Sequence, residues 1–363
     1  MSTSLRRRVS ILLTEMRILF MLELDLMSLT GGSRYARRLT EALGRRGHDV
    51  MPRLVARGKP GREDLERTDV ILWDGMSLIS GLASWPELLE GGAHAAMVHS
   101  PFSEPELRDE PWIPVKRDEL DGLERRLFAA MHAIFVPSGK VRGILTSRYG
   151  VRPDIVSVHE PSSDLALARL PPRSLVNDEW RFVSVGSVTA RKRQRLLVEA
   201  LAGVRAAAWR GREWRLEIIG RLDAEPSYVR SILELAESLG VTPRLRLGPR
   251  SEEELLGALA SSHAHLFPSR DEGYGMAVYE SNCAGVPTLF DESACALGPE
   301  CRSLPPIGAG GDARAWSEAI ERFLERQEEW EERARGGRRT PRSWDDVAAG
   351  IERRLGGVAG AGH

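Results

Sequence analysis

Two glutamates eight positions apart, Glu272 and Glu280, form the clearest chemical pattern in this sequence. The segment Gly273-Tyr274-Gly275-Met276 follows the first of them directly. An apolar run at 264–267 precedes the pair and another at 286–290 follows it, which predicts strand, glycine-bearing turn, helix and strand. We therefore expect Glu272 in a turn at the carboxyl end of a strand, and Glu280 about one turn into the next helix.

This arrangement favours a negatively charged, hydroxyl-rich ligand. Ligands of open α/β sheets lie at the carboxyl ends of the strands. Gly273 and Gly275 allow the backbone to approach a ligand closely, and the amides at the start of the helix attract anions. A nucleotide sugar is such a ligand. The alternative is that the glycines only form a turn.

The composition is that of an ordinary globular protein. The 363 residues are enough for two domains with separate cores, and the net charge of −1 gives no general attraction to nucleic acid. No apolar run has the length of a membrane span. The cysteines are odd in number and lack metal-ligand spacing, which favours a disulfide-free cytoplasmic protein; they are Cys283, Cys295 and Cys301.

The first residues resemble a signal peptide, but their apolar run is too short. Arg6-Arg7-Arg8 precedes apolar residues 9–13, but Thr14-Glu15 interrupts the run. We expect residues 1–15 to be a flexible leader, or upstream sequence before a natural start at Met16.

A second candidate ligand site follows the first predicted strand, at 16–22. Gly31-Gly32 lies before a helix from about Arg34 to Arg46, and a strand, glycine loop and helix can hold a phosphate group. A tight turn is the alternative. The polar face of this helix is either solvated or touches acidic lipid headgroups or an anionic acceptor; it carries Arg34, Arg37, Arg38 and Arg45.

The remaining pattern predicts two α/β domains. Strands are expected at 69–73, 95–99, 133–137 and 155–158, then at 182–185, 216–219 and 245–247, with helices between them. His99 falls at the end of a strand, where it is either a ligand-facing residue or a structural one. The predicted units are an N-terminal domain at 16–170, a C-terminal domain at 176–341, a helix at 342–355 and a disordered tail at 356–363.

Together these residues resemble the retaining glycosyltransferases of family 4, from Met16 to about Leu355. The most specific part is Phe267-Pro268-Ser269, then Glu272 and Glu280, then Ala284-Gly285-Val286-Pro287. Further similar pieces are Gly31-Gly32, Gly47-His48-Asp49-Val50, His99, Val185-Gly186, Arg191-Lys192 and Ser343-Trp344. The resemblance implies the GT-B fold, in which two Rossmann-like doubly wound α/β domains face a central cleft.

The resemblance also implies residue roles. Glu272 and the backbone of Gly273, Tyr274, Gly275 and Met276 would hold the donor sugar, and Glu280 the ribose. Arg191 and Lys192 would neutralise the diphosphate, with help from Gly31 and Gly32. His99 would lie beside the sugar, Arg250 near the base, and the final helix would cross back to the N-terminal domain. No cofactor is implied, and a D-x-D metal site is not found.

Four parts of the sequence depart from the family pattern, one of them Ser281-Asn282-Cys283, which replaces a usual run of small and apolar residues. Ser187 stands where many relatives have arginine, Arg193 where glycine is usual, and Pro161-Ser162-Ser163-Asp164 at the domain junction where Pro-x-Gly-Val-Asp is common. Arg191 could take over the charge that is missing at Ser187.

The sequence therefore predicts a metal-independent enzyme that transfers a hexosyl unit from a nucleoside diphosphate sugar, UDP- or GDP-linked. The acceptor is open: a small molecule, a glycan or a lipid, the last with peripheral membrane contact through the helix from Arg34 to Arg46. Alternatives are another GT-B activity, such as an epimerase or phosphorylase, and a non-catalytic nucleotide-sugar-binding or scaffold subunit. A dinucleotide oxidoreductase is disfavoured because no G-x-G-x-x-G follows either domain's first strand.

Overall fold

The computed structural model of the protein describes residues 15–27, 30–104, 116–163, 171, 173–175, 178–292, 296, 311–336 and 342–360, without the side chains of 117 and 118. It consists of two parallel sheets, each with helices packed on both faces. None of the helices in these ranges combines the length and hydropathy needed to cross a membrane. Residues 1–14 of the expected leader lie outside the described residues, as do most of residues 165–178, where Pro171-Pro172 and the lack of a clean period predict the interdomain linker.

The N-terminal sheet has six strands, all parallel to their neighbours. They are Arg17–Leu22 (β1), Asp49–Leu54 (β2), Val70–Asp74 (β3), His94–Met97 (β4), Ala133–Val136 (β5) and Val156–Val158 (β6). Their order is β2-β1-β3-β4-β5-β6. Alternate side chains enter two cores, with Ile18 and Phe20 on one face and Leu19 and Met21 on the other.

The C-terminal sheet has five parallel strands. They are Glu179–Val185 (β7), Glu213–Ile219 (β8), Leu245–Gly248 (β9), Ala264–Phe267 (β10) and Thr288–Phe290 (β11). Their order is β11-β10-β7-β8-β9. Phe182 and Leu266 enter one core and Val183 and Phe267 the other, so this sheet is also buried on both faces. The predicted fold of two Rossmann-like domains is confirmed.

Helices follow most strands, as the alternating pattern predicts. The N-terminal domain has Gly31–Arg45 (α1), Arg62–Glu66 (α2), Gly75–Ser84 (α3), Arg117–Ala129 (α4) and Gly139–Ser147 (α5). The C-terminal domain has Gln194–Gly203 (α6), Pro226–Ser238 (α7), Glu252–Ser261 (α8), Met276–Cys283 (α9), Ala313–Glu325 (α10) and Gln327–Gly336 (α11), and Trp344–Ala359 (α12) ends the described chain.

Two helix boundaries differ from the sequence prediction. Gly31 and Gly32 form the first turn of α1 and not a loop before it, because the Thr30 hydroxyl accepts a hydrogen bond from the amide of Ser33 at 3.1 Å and starts the helix early. At the other end of the chain α12 continues to Ala359. The expected disorder from Gly356 is wrong for 356–359, because Val358 and Ala359 pack against the N-terminal core.

The last helix joins the two halves of the molecule. Val347, Ile351 and Leu355 of α12 share a core with Leu39 and Leu43 of α1. Arg45 pairs with Asp345 at 2.9 Å, and Arg46 pairs with the buried Glu352. The basic side of α1 is therefore partly used to hold α12.

Candidate active site

Both sheets reverse their strand order where the candidate residues gather. In the C-terminal sheet the reversal lies between β10 and β7, which precede Glu272 and Lys192 respectively. In the N-terminal sheet it lies between β1 and β3, beside the start of α1. Crevices at the carboxyl ends of parallel strands, at such reversals, are the usual ligand sites of α/β folds.

Glu272 lies in the turn after β10 and is held by three side chains. Its Oε1 accepts hydrogen bonds from Ser269 Oγ at 2.7 Å and from Arg191 at 3.3 Å, and it forms an ion pair with Lys192 Nζ. Burial alone would raise the pKa of Glu272, but the charges of Lys192 and Arg191 and the hydrogen bonds outweigh it, so the pKa lies below its ordinary value. The carboxylate is consequently ionised at neutral pH.

Arg191 and Lys192 end a 3-10 turn, Ala190–Lys192, between β7 and α6. Arg191 donates to the backbone oxygen of Asp271 at 2.6 Å, and its own carbonyl accepts from the Arg270 amide at 3.0 Å. Lys192 Nζ lies 5.2 Å from the centre of the Phe267 ring, within cation–π range. The turn after β7 and the turn after β10 are thus fastened to each other.

The buried His265 connects the end of β7 to α9 by hydrogen bonds, close to these two turns. His265 Nε2 accepts from the Val185 amide at 3.3 Å, so Nδ1 carries the proton and donates to Ser281 Oγ at 3.0 Å. Burial, and then the nearby charge of Lys192, lower the pKa of His265 to about 3. His265 is therefore neutral and adds no positive charge beneath Lys192.

The predicted donor residues 273–276 and Glu280 lie along the same turn and α9. Gly275 has a φ of +98° and caps α9, which begins at Met276, while Tyr274 is buried. Glu280 is 3% exposed, and Ser163 Oγ lies 3.4 Å from its Oε1. Because Ser163 precedes the connection between the domains, Glu280 lies at the junction of the two halves.

Across the cleft, His99 follows β4. Its Nε2 lies 3.6 Å from Asp74 Oδ1, too far for a hydrogen bond, and finds no hydrogen-bond partner among the described residues. A Cβ on Gly32 would lie 3.4 Å from the His99 ring, whereas one on Gly31 would meet open space. The first turn of α1 therefore packs directly against the His99 ring at Gly32.

Three further residues at the site are absent from the sequence prediction: Ser138, Lys140 and Asp271. Ser138 caps α5 and donates to the backbone oxygen of Gly273 at 2.6 Å, and Lys140 forms an ion pair with Asp271. Serine between a predicted strand and a following segment is a helix-cap signal. The contacts themselves join residues more than 130 positions apart, which no local pattern reports.

Arg250 is the predicted residue that the structure leaves apart from this cluster. It follows β9 at the edge of the sheet, and its guanidinium contacts Glu217 at 2.8 Å and the backbone oxygen of Pro249 at 3.1 Å. Its described contacts are thus with the β8–β9 side of the sheet.

Of the departures at Ser187 and Arg193, only the second has a local explanation. Arg193 has a φ of +56°, the left-handed conformation for which glycine is the usual residue. Its guanidinium lies 3.3 Å from the fully buried Asp291 and donates to Gly311 O at 2.6 Å. Ser187 accepts from Gln194 through its backbone oxygen.

Within the described ranges, no three His, Cys, Asp or Glu side chains come close enough together to hold a metal ion. The charged groups that gather around the turn after β10 instead form ion pairs, Lys192 and Arg191 with Glu272 and Lys140 with Asp271.

Comparison with known proteins gives a family match for the C-terminal part of the chain. Residues 170–341 match the family model described as Glycosyl transferases group 1. A 195-residue stretch is 24% identical to D-inositol 3-phosphate glycosyltransferase of Corynebacterium diphtheriae, covering 50% of this chain and 45% of that protein. The chain thus matches less than half the length of this curated relative.

Solved structures match over nearly the whole chain. Sucrose-phosphate synthase from Thermosynechococcus elongatus superposes with a TM-score of 0.71 at 18% identity, covering 93% of this chain and 98% of that one. Anabaena HepE, in complex with UDP-glucose, gives 0.69 at 13% identity, covering 96% and 100%. The chain therefore has the GT-B fold, with a glycosyl transferases group 1 match over residues 170–341.

Proposed function

We propose that the protein is a retaining, metal-independent glycosyltransferase of family 4, which moves a hexosyl unit from a nucleoside diphosphate sugar to an acceptor hydroxyl. The observation that carries this proposal is the convergence of Lys192 and Arg191 on Glu272, at the strand reversal of the C-terminal sheet. The match to a glycosyl transferases group 1 model over the same segment supports it.

The chemistry requires stabilisation of a leaving group. As the bond between the anomeric carbon and the phosphate oxygen breaks, negative charge grows on the departing diphosphate. Lys192 and Arg191 are fixed cations that can stabilise this charge without reorganising, and the start of α1 adds backbone amides across the cleft. These groups take the place of a divalent ion in charge neutralisation.

In the proposed reaction the acceptor oxygen attacks the anomeric carbon from the face that the diphosphate leaves. The acceptor proton passes to a phosphate oxygen, so the products are the glycoside and a nucleoside diphosphate. Glu272 would hold hydroxyl groups of the sugar while it orients Lys192 and Arg191. His99, whose Nε2 has no hydrogen-bond partner in the described part of the chain, would contact the sugar from the N-terminal side.

Ser187 favours a second candidate, a subunit that binds a nucleotide sugar without transferring it, because a diphosphate-binding arginine is missing there. Arg191 can supply part of the positive charge that the missing arginine would provide. Its guanidinium lies 3.3 Å from the Glu272 carboxylate, inside the candidate site, so the site still holds two cations.

The acceptor stays open. The relative from Corynebacterium is named for D-inositol 3-phosphate, which makes that compound a useful first acceptor to try. Peripheral membrane contact through residues 34–46 is a further proposal, although Arg45 and Arg46 are engaged with α12.

A thermal-shift panel with UDP, GDP, ADP and NAD, each with and without magnesium, tests the proposal first. A ligand that binds only the folded protein adds about 2.7 kcal/mol at about 100 times its dissociation constant. We expect one nucleoside diphosphate to stabilise the protein without magnesium, and Glu280→Gln to weaken that effect. Stabilisation by NAD alone would contradict a glycosyltransferase, and binding without product from any sugar donor would favour the non-catalytic subunit.

A further inference from the structure

The turn after β10 is held by the N-terminal domain as well as by its own. Lys140 Nζ forms an ion pair with Asp271 and lies 3.4 Å from the backbone oxygen of Glu272. Ser138 Oγ donates to the backbone oxygen of Gly273 at 2.6 Å. Three consecutive residues of the turn, 271–273, are thus bonded across the cleft.

These contacts come from one rigid element. Ser138 is the N-cap of α5, and its hydroxyl oxygen accepts from the Val141 amide at 3.2 Å while its proton is donated to Gly273. A hydroxyl group can do both at once. Lys140 lies in the first turn of the same helix, so any movement of α5 relative to the C-terminal domain breaks both contacts together.

Backbone packing makes the fit between the domains close. A Cβ on Gly273 would overlap the backbone oxygen of His99, so only glycine allows this approach. The Lys140 and Asp271 side chains are 31% and 13% exposed. An ion pair shielded to this degree is screened by salt much less than a surface pair.

We propose that Lys140 is a positioning residue that couples closure of the two domains to the shape of the donor site. Its ion pair with Asp271, together with the Ser138 hydrogen bond to Gly273, forms an interdomain latch. The latch holds the backbone of Glu272 between two fixed neighbours, so that its carboxylate faces Lys192 and Arg191. When the domains separate, residues 271–273 lose all three bonds described above.

The coupling has a thermodynamic consequence. If the closed arrangement orders Glu272, a ligand that binds to ordered Glu272 binds more tightly to the closed form, and by reciprocity it favours closure. This consequence rests on the proposed donor site, whereas the latch itself does not.

Lysine acetylation followed by mass spectrometry tests the latch without any substrate. The sequence contains only four lysines, so each can be followed separately; they are Lys59, Lys116, Lys140 and Lys192. We expect Lys140 to react about tenfold more slowly than the exposed Lys116, because its ammonium is half-shielded and held by Asp271 and Glu272 O until the domains separate. Asp271→Asn and Ser138→Ala should each remove most of this protection and leave Lys59 and Lys116 unchanged.

Equal acetylation rates for Lys140 and Lys116 in the unaltered protein would overturn the latch. So would protection of Lys140 that survives both substitutions. Small-angle scattering on Lys140→Met gives a second measure that does not depend on reactivity. The latch predicts a larger radius of gyration for this variant with an unchanged circular dichroism spectrum, and an identical scattering curve would contradict it.

Coupling to the donor site is tested with the nucleoside diphosphate that gives the largest thermal shift. Lys140→Met should weaken its binding about tenfold, the effect of losing one charge-assisted hydrogen bond. The double variant Lys140→Met/Asp271→Asn should bind no more weakly than either single variant, because both remove the same contact.

Lys59→Met is the matched control. Lys59 lies in the same domain and forms an exposed pair with Glu87, and such pairs contribute little. Its variant should bind the nucleotide as the unaltered protein does. If no nucleoside diphosphate binds the unaltered protein, the proposed function fails, and the acetylation result still decides the latch. If the nucleotide binds Lys140→Met with unchanged affinity, the coupling is wrong.

Discussion

The two edges of the cleft are built in different ways. On the C-terminal edge, Lys192 and Arg191 are tied to Glu272, and the neutral His265 supports them from inside the domain. On the N-terminal edge, His99 follows a strand and its Nε2 has no hydrogen bond to the described residues, with Asp74 at 3.6 Å. Glu272 on one edge is bonded to three side chains of its own domain, whereas the buried His99 Nε2 on the other edge has no hydrogen-bond partner among the described residues.

This difference follows from what each edge is proposed to do. Charge that develops on a leaving group is best stabilised by groups already fixed in place, so the donor edge gains from internal bonds. A group without an internal hydrogen bond can bind a substrate without first breaking a contact within the protein. Substitutions on the donor edge should therefore change stability and turnover together, and those on the N-terminal edge should change turnover alone.

The largest effect is expected from Lys192→Met. Removing one preorganised charge at a reacting centre costs about 10²–10³ in kcat. The pKa of Glu272 should also rise, since the charge that most lowers it is lost. Measurement of kcat with the donor found in the nucleotide panel, alongside Lys59→Met as control, checks this. A kcat within twofold of the control would remove Lys192 from the reaction.

A large loss of stability is expected from Arg193→Gly, although glycine suits the φ of +56° better. Relief of backbone strain favours glycine by about 1 kcal/mol, whereas breaking a buried ion pair costs about 3–5 kcal/mol. Asp291 is fully buried, so the second effect should dominate and leave a net loss of about 3 kcal/mol.

Urea unfolding of Arg193→Gly and of Arg193→Gly/Asp291→Asn measures this balance. The double variant should recover part of the loss, because no carboxylate is then left without its guanidinium. Stabilisation by the single substitution would mean that the ion pair contributes less than the strained backbone costs.

The donor edge should also lose stability in acid through His265. The unfolded chain binds a proton near the ordinary pKa of 6.5, but the folded protein resists it until about pH 3. Stability is therefore complete above pH 6.5 and falls as the pH decreases, by about 1.4 kcal/mol per pH unit for this one group. At pH 5 the loss amounts to about 2 kcal/mol.

Comparison with His265→Gln isolates this contribution, because the other titrating groups are common to both proteins. At pH 7.5 the variant should be less stable by about 1–2 kcal/mol through lost hydrogen bonds, and by pH 5 the gap should close. A gap that stays constant between pH 7.5 and pH 5 would show that His265 takes up a proton in the folded state.

The sequence predicted the parts of the site that lie close along the chain. Glu272, Gly275 and Met276 occupy the turn and helix start that apolar runs and glycines indicated, and Ser251-Glu252-Glu253-Glu254, a capping-box sequence, does cap α8. Such features depend on local hydrogen bonds and on periodicity, which a sequence displays directly.

What the sequence could not predict depends on how the domains meet. The contacts of Ser138 and Lys140 with residues 271–273 exist only because α5 faces the turn after β10. Arg193 illustrates the same limit, since its left-handed conformation is accompanied by an ion pair with Asp291, 98 positions away. Tertiary contacts determine both the interdomain contacts and the Arg193 conformation, and neither produces a periodic pattern in the sequence.

The smallest effect on stability is expected from His99→Gln, on the N-terminal edge. Because His99 Nε2 makes no hydrogen bond within the described residues, its loss should change the free energy of unfolding by less than about 0.5 kcal/mol. Turnover should still fall about tenfold, since the proposed contact of His99 with the sugar would be lost. Urea unfolding and kcat measured on the same preparations separate the two quantities. A stability loss comparable to that of Arg193→Gly would show that His99 is structural, and the contrast between the two edges of the cleft would then lie in burial and not in their roles.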